Sequence, residues 1–177
     1  DGRNQCIEVS ESLFNPATQA PLGKGTATTQ IAFAQNGECS NTRDDNGHVT
    51  LFTYDSVGQL ASVIDPKLNT IALAYDASGN LTSVTRIERS DVAPGTQQFV
   101  ATYSYDALNR LVRSQDNVGN TTACSYDSLG RVVATVDPNT NTIAHAYDDL
   151  NRHTLAVADL NGDGQLDLAV DVNRSWS

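Results

Sequence analysis

The sequence is poor in positive charge and in long apolar segments. Its 177 residues include 11 lysine and arginine residues against 21 acidic residues, a formal charge of −10, and the only lysines are Lys24 and Lys67. Nucleic acids and anionic membranes are bound by clustered basic side chains, and no such cluster occurs here. No apolar run approaches the roughly 18–20 residues of a membrane-spanning helix. These absences argue against nucleic acid as a partner and against a helical membrane span.

Methionine is absent, and the sequence begins at Asp1. We therefore expect a processed product or a piece of something longer, although no signal peptide is recognisable. Thr, Asn, Ser and Gly are abundant, which is typical of secreted or cell-surface β proteins. We expect an extracellular or cell-surface location.

Motifs of the common enzyme classes are absent as well. The sequence contains no GxSxG, HExxH, Walker or GxGxxG pattern. His145 with Asp148 and Asp149 is a weak candidate for a base or metal site, and a packed His145 is the simpler interpretation. We expect no enzymatic activity.

Cysteine is scarce, with Cys6, Cys39 and Cys124 only and no CxxC pair. A zinc site of the common type is therefore not expected. We expect a Cys6–Cys39 disulfide, which would add about 3–4 kcal/mol of stability in the chain-entropy model and imply an oxidising compartment. The alternative is two buried free thiols.

The dominant feature is a repeat. Tyr-Asp occurs at positions 54, 75, 105, 126 and 147, with steps of 21, 30, 21 and 21 residues. Fixed periods of this size indicate a repeat architecture. The longer step contains an insertion at about 87–98, which we interpret as a loop.

Two columns of the repeat predict tight turns. Asp follows each Tyr, and Gly or Asn stands four residues after the Tyr. These two residue types adopt a left-handed backbone conformation at little energetic cost. The paired positions are Asp55 and Gly58, Asp76 and Gly79, Asp106 and Asn109, Asp127 and Gly130, and Asp148 and Asn151. A second turn is predicted at 65–69, 116–120 and 137–141. We interpret the repeated Asp residues as turn formers and not as catalytic acids.

The strands between these turns alternate. The residues two before each Tyr share a face with it by the period-two rule, and they are Phe52, Leu73, Tyr103, Cys124 and His145. We expect this largely apolar face to be packed. The whole pattern predicts an all-β fold of antiparallel β-hairpin repeats that form an extended twisted or spiralling sheet.

The phrase YDSVGQLASVIDPKLNTIALAYDASGNL resembles the Rhs/YD-repeat family over residues 44 to 157. This family includes bacterial polymorphic toxins, insecticidal toxin-complex subunits, wall-associated proteins and animal teneurins. The resemblance implies a β-sheet that spirals into a hollow shell. This chain has about five units, and Arg86 replaces the Asp of the second turn in one of them.

A calcium loop is predicted near the C-terminus. In ADLNGDGQLDLAV, hard oxygen ligands stand at alternate positions, and Gly164 permits a sharp bend. The expected ligands are Asp159, Asn161, Asp163, Gln165 and Asp167. Val170 replaces the final Glu of an EF-hand, and the loop instead resembles those of FG-GAP repeats. We expect Ca²⁺ to be structural here; the alternative is a hairpin that needs no metal.

Three asparagines, Asn80, Asn120 and Asn173, fit the glycosylation acceptor pattern. This pattern matters only in a secretory or surface context.

We therefore expect three segments: an N-terminal extension at 1–43 that is disulfide-linked, a YD-repeat sheet at 44–157, and a calcium-loop hairpin at 158–177. The main functional hypothesis is a non-enzymatic structural module of a shell or scaffold. One alternative is a fibre subunit joined by β-strand addition at sheet edges, with TTQIAFAQ as a strand that pairs outside its own repeats. The other is a carbohydrate-binding adhesion module. Expected partners are further repeats or other copies of the chain, and glycans in the last case.

Overall fold

The computed structural model describes residue 5, residues 7–89 and 95–159, and the backbone of residues 168–171. All of its regular elements are β-strands. They are β1 (Glu8–Phe14), β2 (Pro21–Phe33), β3 (Cys39–Asp44), β4 (Val49–Tyr54), β5 (Leu60–Ile64), β6 (Thr70–Tyr75), β7 (Leu81–Arg89), β8 (Thr96–Tyr105), β9 (Leu111–Gln115), β10 (Thr121–Tyr126), β11 (Val132–Val136), β12 (Thr142–Tyr147), β13 (His153–Asp159) and β14 (Leu168–Asp171). Within these ranges no helix is long and apolar enough to cross a membrane.

The chain divides into two compact units, one formed by Asp1–Ala74 and Val84–Phe99 and the other by Tyr75–Ser83 and Val100–Ser177. In the first unit, antiparallel pairing runs from β1 through β2, β3, β4 and β5 to β6. In the second, it runs from β8 through β9, β10, β11, β12 and β13 to β14. Sequence neighbours are therefore sheet neighbours in each unit, and the predicted fold of antiparallel β-hairpins is confirmed.

The hairpin pattern also occupies the segment before the first Tyr-Asp unit. Strand β2 contains most of TTQIAFAQ and pairs with β1 on one side and β3 on the other, with Thr29 opposite Asp44. This strand is therefore paired inside its own chain, contrary to the interpretation that it pairs elsewhere. The insertion at about 87–98 extends β7 and β8 to 9 and 10 residues, so that part of it is strand rather than loop.

No apolar side chain in the described ranges is fully buried, and Asp159, at 7 % exposure, is the one buried polar residue there. Each Tyr of the repeat and the residue two before it are half-buried, while the residue between them is exposed. The expectation of a packed face is therefore corrected: Cys124 and His145 are half-buried and do not lie in a core. The physical reason is that strand alternation decides which face a side chain occupies but not how deeply that face is covered.

Part of the apolar content lies on the turns instead. The third residue after four of the Tyr residues is an aliphatic side chain that is 68–77 % exposed, namely Val57, Leu108, Leu129 and Leu150. Apolar residues at hairpin tips cannot contribute to a core. Although 39 % of the residues are hydrophobic, the described residues therefore form no apolar core.

The two kinds of turn have one backbone geometry. In each, the amide of the fourth residue donates to the carbonyl of the first, and the amide of the first donates to the carbonyl of the fifth, as in the turns 127–131 and 137–141. The fourth residue has positive φ, and in the Tyr-Asp turns this residue is Gly58 (84°), Gly79 (86°), Asn109 (60°), Gly130 (82°) or Asn151 (62°). These two backbone bonds are those of a type I turn closed by a left-handed residue. In four of the Tyr-Asp hairpins the strand pairing next to the turn also contains a register shift, which lies beside Tyr54, Tyr105, Tyr126 or Tyr147.

Two turns place a poorly suited residue at this left-handed position. Leu68 has φ 67° and Thr140 has φ 71°, and such values are unfavourable for side chains that have a Cβ, above all a β-branched one. The backbone bonds of these turns are nevertheless complete, from Leu68 N to Asp65 O and from Thr140 N to Asp137 O. The surrounding hairpin therefore imposes the conformation.

We predict that Thr140→Gly raises the free energy of unfolding by about 1 kcal/mol, because glycine removes the steric cost of the left-handed conformation. The matched control is Gly119→Ala, at the same position of the turn 116–120. Gly119 has φ 92°, and an added Cβ would meet nothing within 4 Å, so only backbone strain changes. We expect this variant to lose a similar amount. Urea unfolding measures both, and equal stability of the three proteins would contradict the strain argument.

Candidate functional site

The candidate site residues of the repeat are the Tyr-Asp turns, and their carboxylates bind the turn itself. Asp127 Oδ1 accepts the amides of Leu129 and Arg131, both at 2.9 Å, and its Oδ2 accepts Arg131 Nε at 2.6 Å. The same two amide bonds are made by the first Asp of the other Tyr-Asp turns, at Asp55, Asp76, Asp106 and Asp148. The carboxylates lie in successive turns, and each bonds its own loop.

These hydrogen bonds set the acidity of the carboxyl groups. The pKa of Asp76 is lowered chiefly by the bond from the Asn80 side chain, and that of Asp106 by the bond from the Arg110 side chain. The pKa values of Asp127 and Asp148 are lowered first by the backbone amide four residues on. All four groups are therefore ionised at neutral pH. A general acid requires the opposite shift, so this arrangement suits hydrogen-bond acceptance and not proton donation.

The second kind of turn uses the same chemistry. Asp44, Asp65, Asp116 and Asp137 each accept two backbone amides and one side chain, from His48 or from an Asn at the fifth position. The pKa of each is lowered, and the side-chain bond is the largest cause. Sequence reasoning recognised the turns at 65–69, 116–120 and 137–141, but it did not predict that the fifth residue binds the carboxylate.

The tyrosines connect one repeat to the next. The hydroxyl of Tyr105 donates to the carbonyl of Leu81 at 2.9 Å, that of Tyr126 to Leu111 at 2.8 Å, and that of Tyr147 to Val132 at 2.9 Å. Each acceptor is the first residue of the strand that leaves the previous Tyr-Asp turn. The hydroxyl therefore ties two successive repeats together, which explains why Tyr and not Phe occupies the column.

Arginines at the fifth position of the turns form a second connection. Arg110 pairs with Asp106 of its own turn and lies over the Tyr126 ring, with 4.5 Å between its Cζ and the ring centre. Arg131 pairs with Asp127 and lies over the Tyr147 ring at 4.8 Å. A guanidinium over an aromatic face adds about 0.5–1 kcal/mol at exposed sites. The recurrence of Arg five residues after Tyr is the sequence signal for this contact.

His145 does not join Asp148 as the weak sequence candidate required. Its Nδ1 lies 3.0 Å from His153 Nε2, whereas Asp148 Oδ2 is bound by Arg152 Nε at 2.7 Å. Burial first, and the charge of His153 second, lower the pKa of His145. In the part of the chain that the structure describes, no group of three or more His, Cys, Asp or Glu side chains is placed to hold a metal.

Two predicted modifications fall partly outside the described residues. Cys39 and Cys124 are half-buried and have no disulfide partner among the described residues, and Cys6 lies outside those residues, so that the Cys6–Cys39 disulfide stays a prediction. Asn173 lies outside them too. The amide nitrogens of the other two acceptors are used in turns: Asn80 Nδ2 donates to Asp76 and Asn109, and Asn120 Nδ2 donates to Asp116.

The predicted calcium loop begins at the end of β13. Asp159 is buried and pairs with Thr142 of β12, while Asn161, Asp163, Gln165 and Asp167 lie outside the described residues. Strand β14 returns antiparallel to β13, with Ala158 opposite Leu168. The two ends of the loop are thus held side by side, as a loop between two strands requires.

Two family models match the sequence of the chain. The family model of the teneurin YD-shell matches residues 22–161, and that of the FG-GAP repeat matches residues 151–174. None of the curated proteins compared matches the chain.

Among the solved structures, one with a TM-score above 0.5 shows a similar fold. A crystal structure of TcdB2-TccC3 matches with a TM-score of 0.61 and 18 % identity, over 86 % of this chain and 9 % of that one. A Photorhabdus luminescens Tc holotoxin pore matches with a TM-score of 0.47 and 14 % identity, over 93 % of this chain and 11 % of that one. The chain therefore spans about a tenth of the solved chains that it matches. Because the shell model covers more than three-quarters of the 177 residues, this chain belongs to the teneurin YD-shell family.

Proposed function

We propose that the chain is a non-enzymatic wall segment of a YD-repeat shell or scaffold in a secreted or cell-surface protein. One observation carries this proposal: the ionisable and hydroxyl side chains of the repeat bind other groups of the repeat array. Carboxylates bind turn amides, tyrosine hydroxyls bind the preceding repeat, and arginines bridge the two. Family membership supports the shell assignment, and the extracellular location is inferred from it.

The described residues form no apolar core, which favours a wall segment of a repeat array rather than a free-standing domain. Without buried apolar side chains in the described ranges, stability must come from strand pairing and contacts between neighbouring repeats. Repeat arrays behave in this way, since each unit contacts only its neighbours and stability is roughly a sum over units and interfaces. The chain matches about a tenth of the length of the TcdB2-TccC3 chain, as expected for one part of a longer array.

A second candidate is assembly by strand addition. All seven residues of β1 are exposed, and the apolar side chains of this region include Val9 at 46 % and Phe14 at 49 % exposure. Within the first unit β1 is a terminal strand, and such strands offer unpaired backbone groups to another chain. This edge could accept further repeats of the same protein or a second copy.

We predict that removing one full repeat leaves a folded but less stable protein. Deletion of residues 127–147 joins Tyr126 to Asp148 and keeps the 21-residue phase. We expect a β-type circular dichroism spectrum with a lower melting temperature, and a higher melting temperature when the same segment is duplicated, because stability in an array grows with the number of interfaces.

The matched control deletes β11 alone, residues 132–136, so that two turns follow one another without a strand between them. This variant should lose cooperative unfolding. If the in-phase deletion also destroyed the fold, or if the duplication left the melting temperature unchanged, the array account would be wrong.

We further propose that the C-terminal loop binds Ca²⁺ through Asp159, Asn161, Asp163, Gln165 and Asp167. The FG-GAP match over 151–174, the buried Asp159 and the pairing of β13 with β14 support it. Five oxygen-bearing side chains, three of them carboxylates, suit a hard cation. The ion would offset the repulsion among these carboxylates and fasten the end of the sheet.

We predict that EGTA lowers the melting temperature and that added Ca²⁺ restores it, since a ligand of the native state contributes about 2.7 kcal/mol at a hundred times its Kd. Asp163→Ala should abolish the calcium effect. Asp149→Ala, an exposed acid outside the loop, should retain it. An EGTA-treated protein with an unchanged melting curve and no bound metal would remove calcium from the account.

A further inference from the structure

The fifth repeat departs from the other four in two columns at once. Six residues after Tyr, the earlier repeats have an aliphatic side chain, and the fifth has His153. Two residues before Tyr, the earlier repeats have an aromatic, aliphatic or thiol side chain, and the fifth has His145. The replaced residues are Leu60, Leu81, Leu111 and Val132 in the first column and Phe52, Leu73, Tyr103 and Cys124 in the second.

The fold brings these two substitutions together. Strand β12 pairs with β13 so that Tyr147 lies opposite His153 and His145 lies opposite Ala156. The His145 and His153 ring centres are 5.1 Å apart, and Nδ1 of the first lies 3.0 Å from Nε2 of the second. Both residues are half-buried. The pair is therefore held by strand register and remains within reach of solvent.

Neighbouring side chains orient the rings. Thr135 Oγ1 on β11 lies 3.5 Å from His145 Nε2, so that an Nε2–H donating to this hydroxyl leaves the Nδ1 lone pair of His145 directed at His153. The His153 ring also packs against Tyr147, with 5.2 Å between centres. A hydrogen bond to the distal ring nitrogen that fixes the tautomer is the usual support of a metal-binding histidine.

The nearby charges are already paired. Arg131, which lies over the Tyr147 ring, is bound to Asp127, and Arg152 is bound to Asp148. The ring nitrogens that face each other in the histidine pair bind one another and no charged side chain. A divalent ion here would meet two imidazoles and no unpaired arginine among these neighbours.

We propose that His145 and His153 form a binding site for a divalent transition-metal ion of the zinc type. Imidazole nitrogens bind Zn²⁺ at about 2.0–2.1 Å, so that two of them on one tetrahedral ion lie about 3.3 Å apart, and the 3.0 Å found here needs to widen by only a few tenths of an ångström. On binding, the ion takes the place of the hydrogen shared by the two rings, and His153 carries its proton on Nδ1 instead of Nε2. Imidazole also favours zinc, copper and nickel over Ca²⁺ and Mg²⁺, so that this site is chemically distinct from the calcium loop.

The site is open. No third His, Cys or carboxylate joins the two rings among the described residues, and a four-coordinate ion would keep two positions for water or for a ligand from a neighbouring molecule. The fifth repeat thereby differs from its neighbours in binding capacity and not only in packing.

The test is a titration of the full chain with Zn²⁺ against a chromophoric chelator at neutral pH, with excess Ca²⁺ present to occupy the oxygen loop. We expect one Zn²⁺ per chain and at least about tenfold weaker binding in His145→Leu and in His153→Leu, since each removes a direct ligand. Leucine occupies both columns in other repeats, at Leu73 and Leu111, so that these variants keep the apolar character of the sheet.

The matched control is His48→Asn, which removes the third histidine of the chain. Asn occupies the same turn position at Asn69 and Asn141 and binds the turn carboxylate there, so that we expect unchanged zinc affinity. As a second readout, Zn²⁺ should shift the NMR signals of His145 Nδ1 and His153 Nε2 and leave those of His48 in place. No zinc binding, or binding that persists in the double Leu variant, would overturn the proposal.

Discussion

One interaction recurs through the described turns: an aspartate carboxylate that accepts two amides of the turn that it opens. In Asp127 these are the amides of Leu129 and Arg131, both at 2.9 Å. A tight turn leaves backbone groups without strand partners, and a carboxylate satisfies two of them at once. Its second oxygen is then free to bind an Asn, Arg or His at the fifth position. The hairpin and the direction of the next strand depend on this local arrangement.

Local bonding of this kind also explains how the strands are held together although the described residues form no apolar core. Each hairpin is closed locally, and the contacts between repeats are few and repeated: the Tyr147 hydroxyl to the Val132 carbonyl at 2.9 Å, and Arg131 over the Tyr147 ring at 4.8 Å. Such contacts are additive along an array and do not need a second layer. A chain built in this way can be lengthened by whole units, which is the property that a shell wall requires. The fifth repeat shows that single columns can then be changed to histidine while the turns stay intact.

The fold could be predicted from the sequence because the turn residues recur in phase. Asp and Gly at fixed offsets predicted the hairpins, and the alternation of Phe52 and Tyr54 predicted the shared face. Three features had no such signal. Leu68 and Thr140 adopt positive φ, which their residue types oppose, because the turn bonds outweigh their own preference. The Tyr hydroxyl bonds join residues 15 or 24 positions apart and leave no local pattern. The N-terminal strands pair like the others although they lack the Tyr-Asp phrase. The expected packing of Cys124 and His145 was wrong in degree, since alternation predicts which face a residue occupies but not whether another layer covers it.

The most direct test of the account is the dependence of the unfolding free energy on pH. The folded-state pKa values of Asp76, Asp106, Asp127 and Asp148 are lowered by turn hydrogen bonds, whereas an unfolded Asp has a pKa of about 3.9. A lowered pKa adds stability that is present above the unfolded value and is lost as the pH falls through the folded value. The carboxylate contribution to stability should therefore be level between neutral pH and about pH 5 and should fall below about pH 4, while the lowered pKa of His145 adds a separate loss of stability that begins below about pH 6.5. In Asp127→Asn the plateau should be lower and the fall smaller. Stability that stayed level through this acid range would contradict the central role of the turn carboxylates.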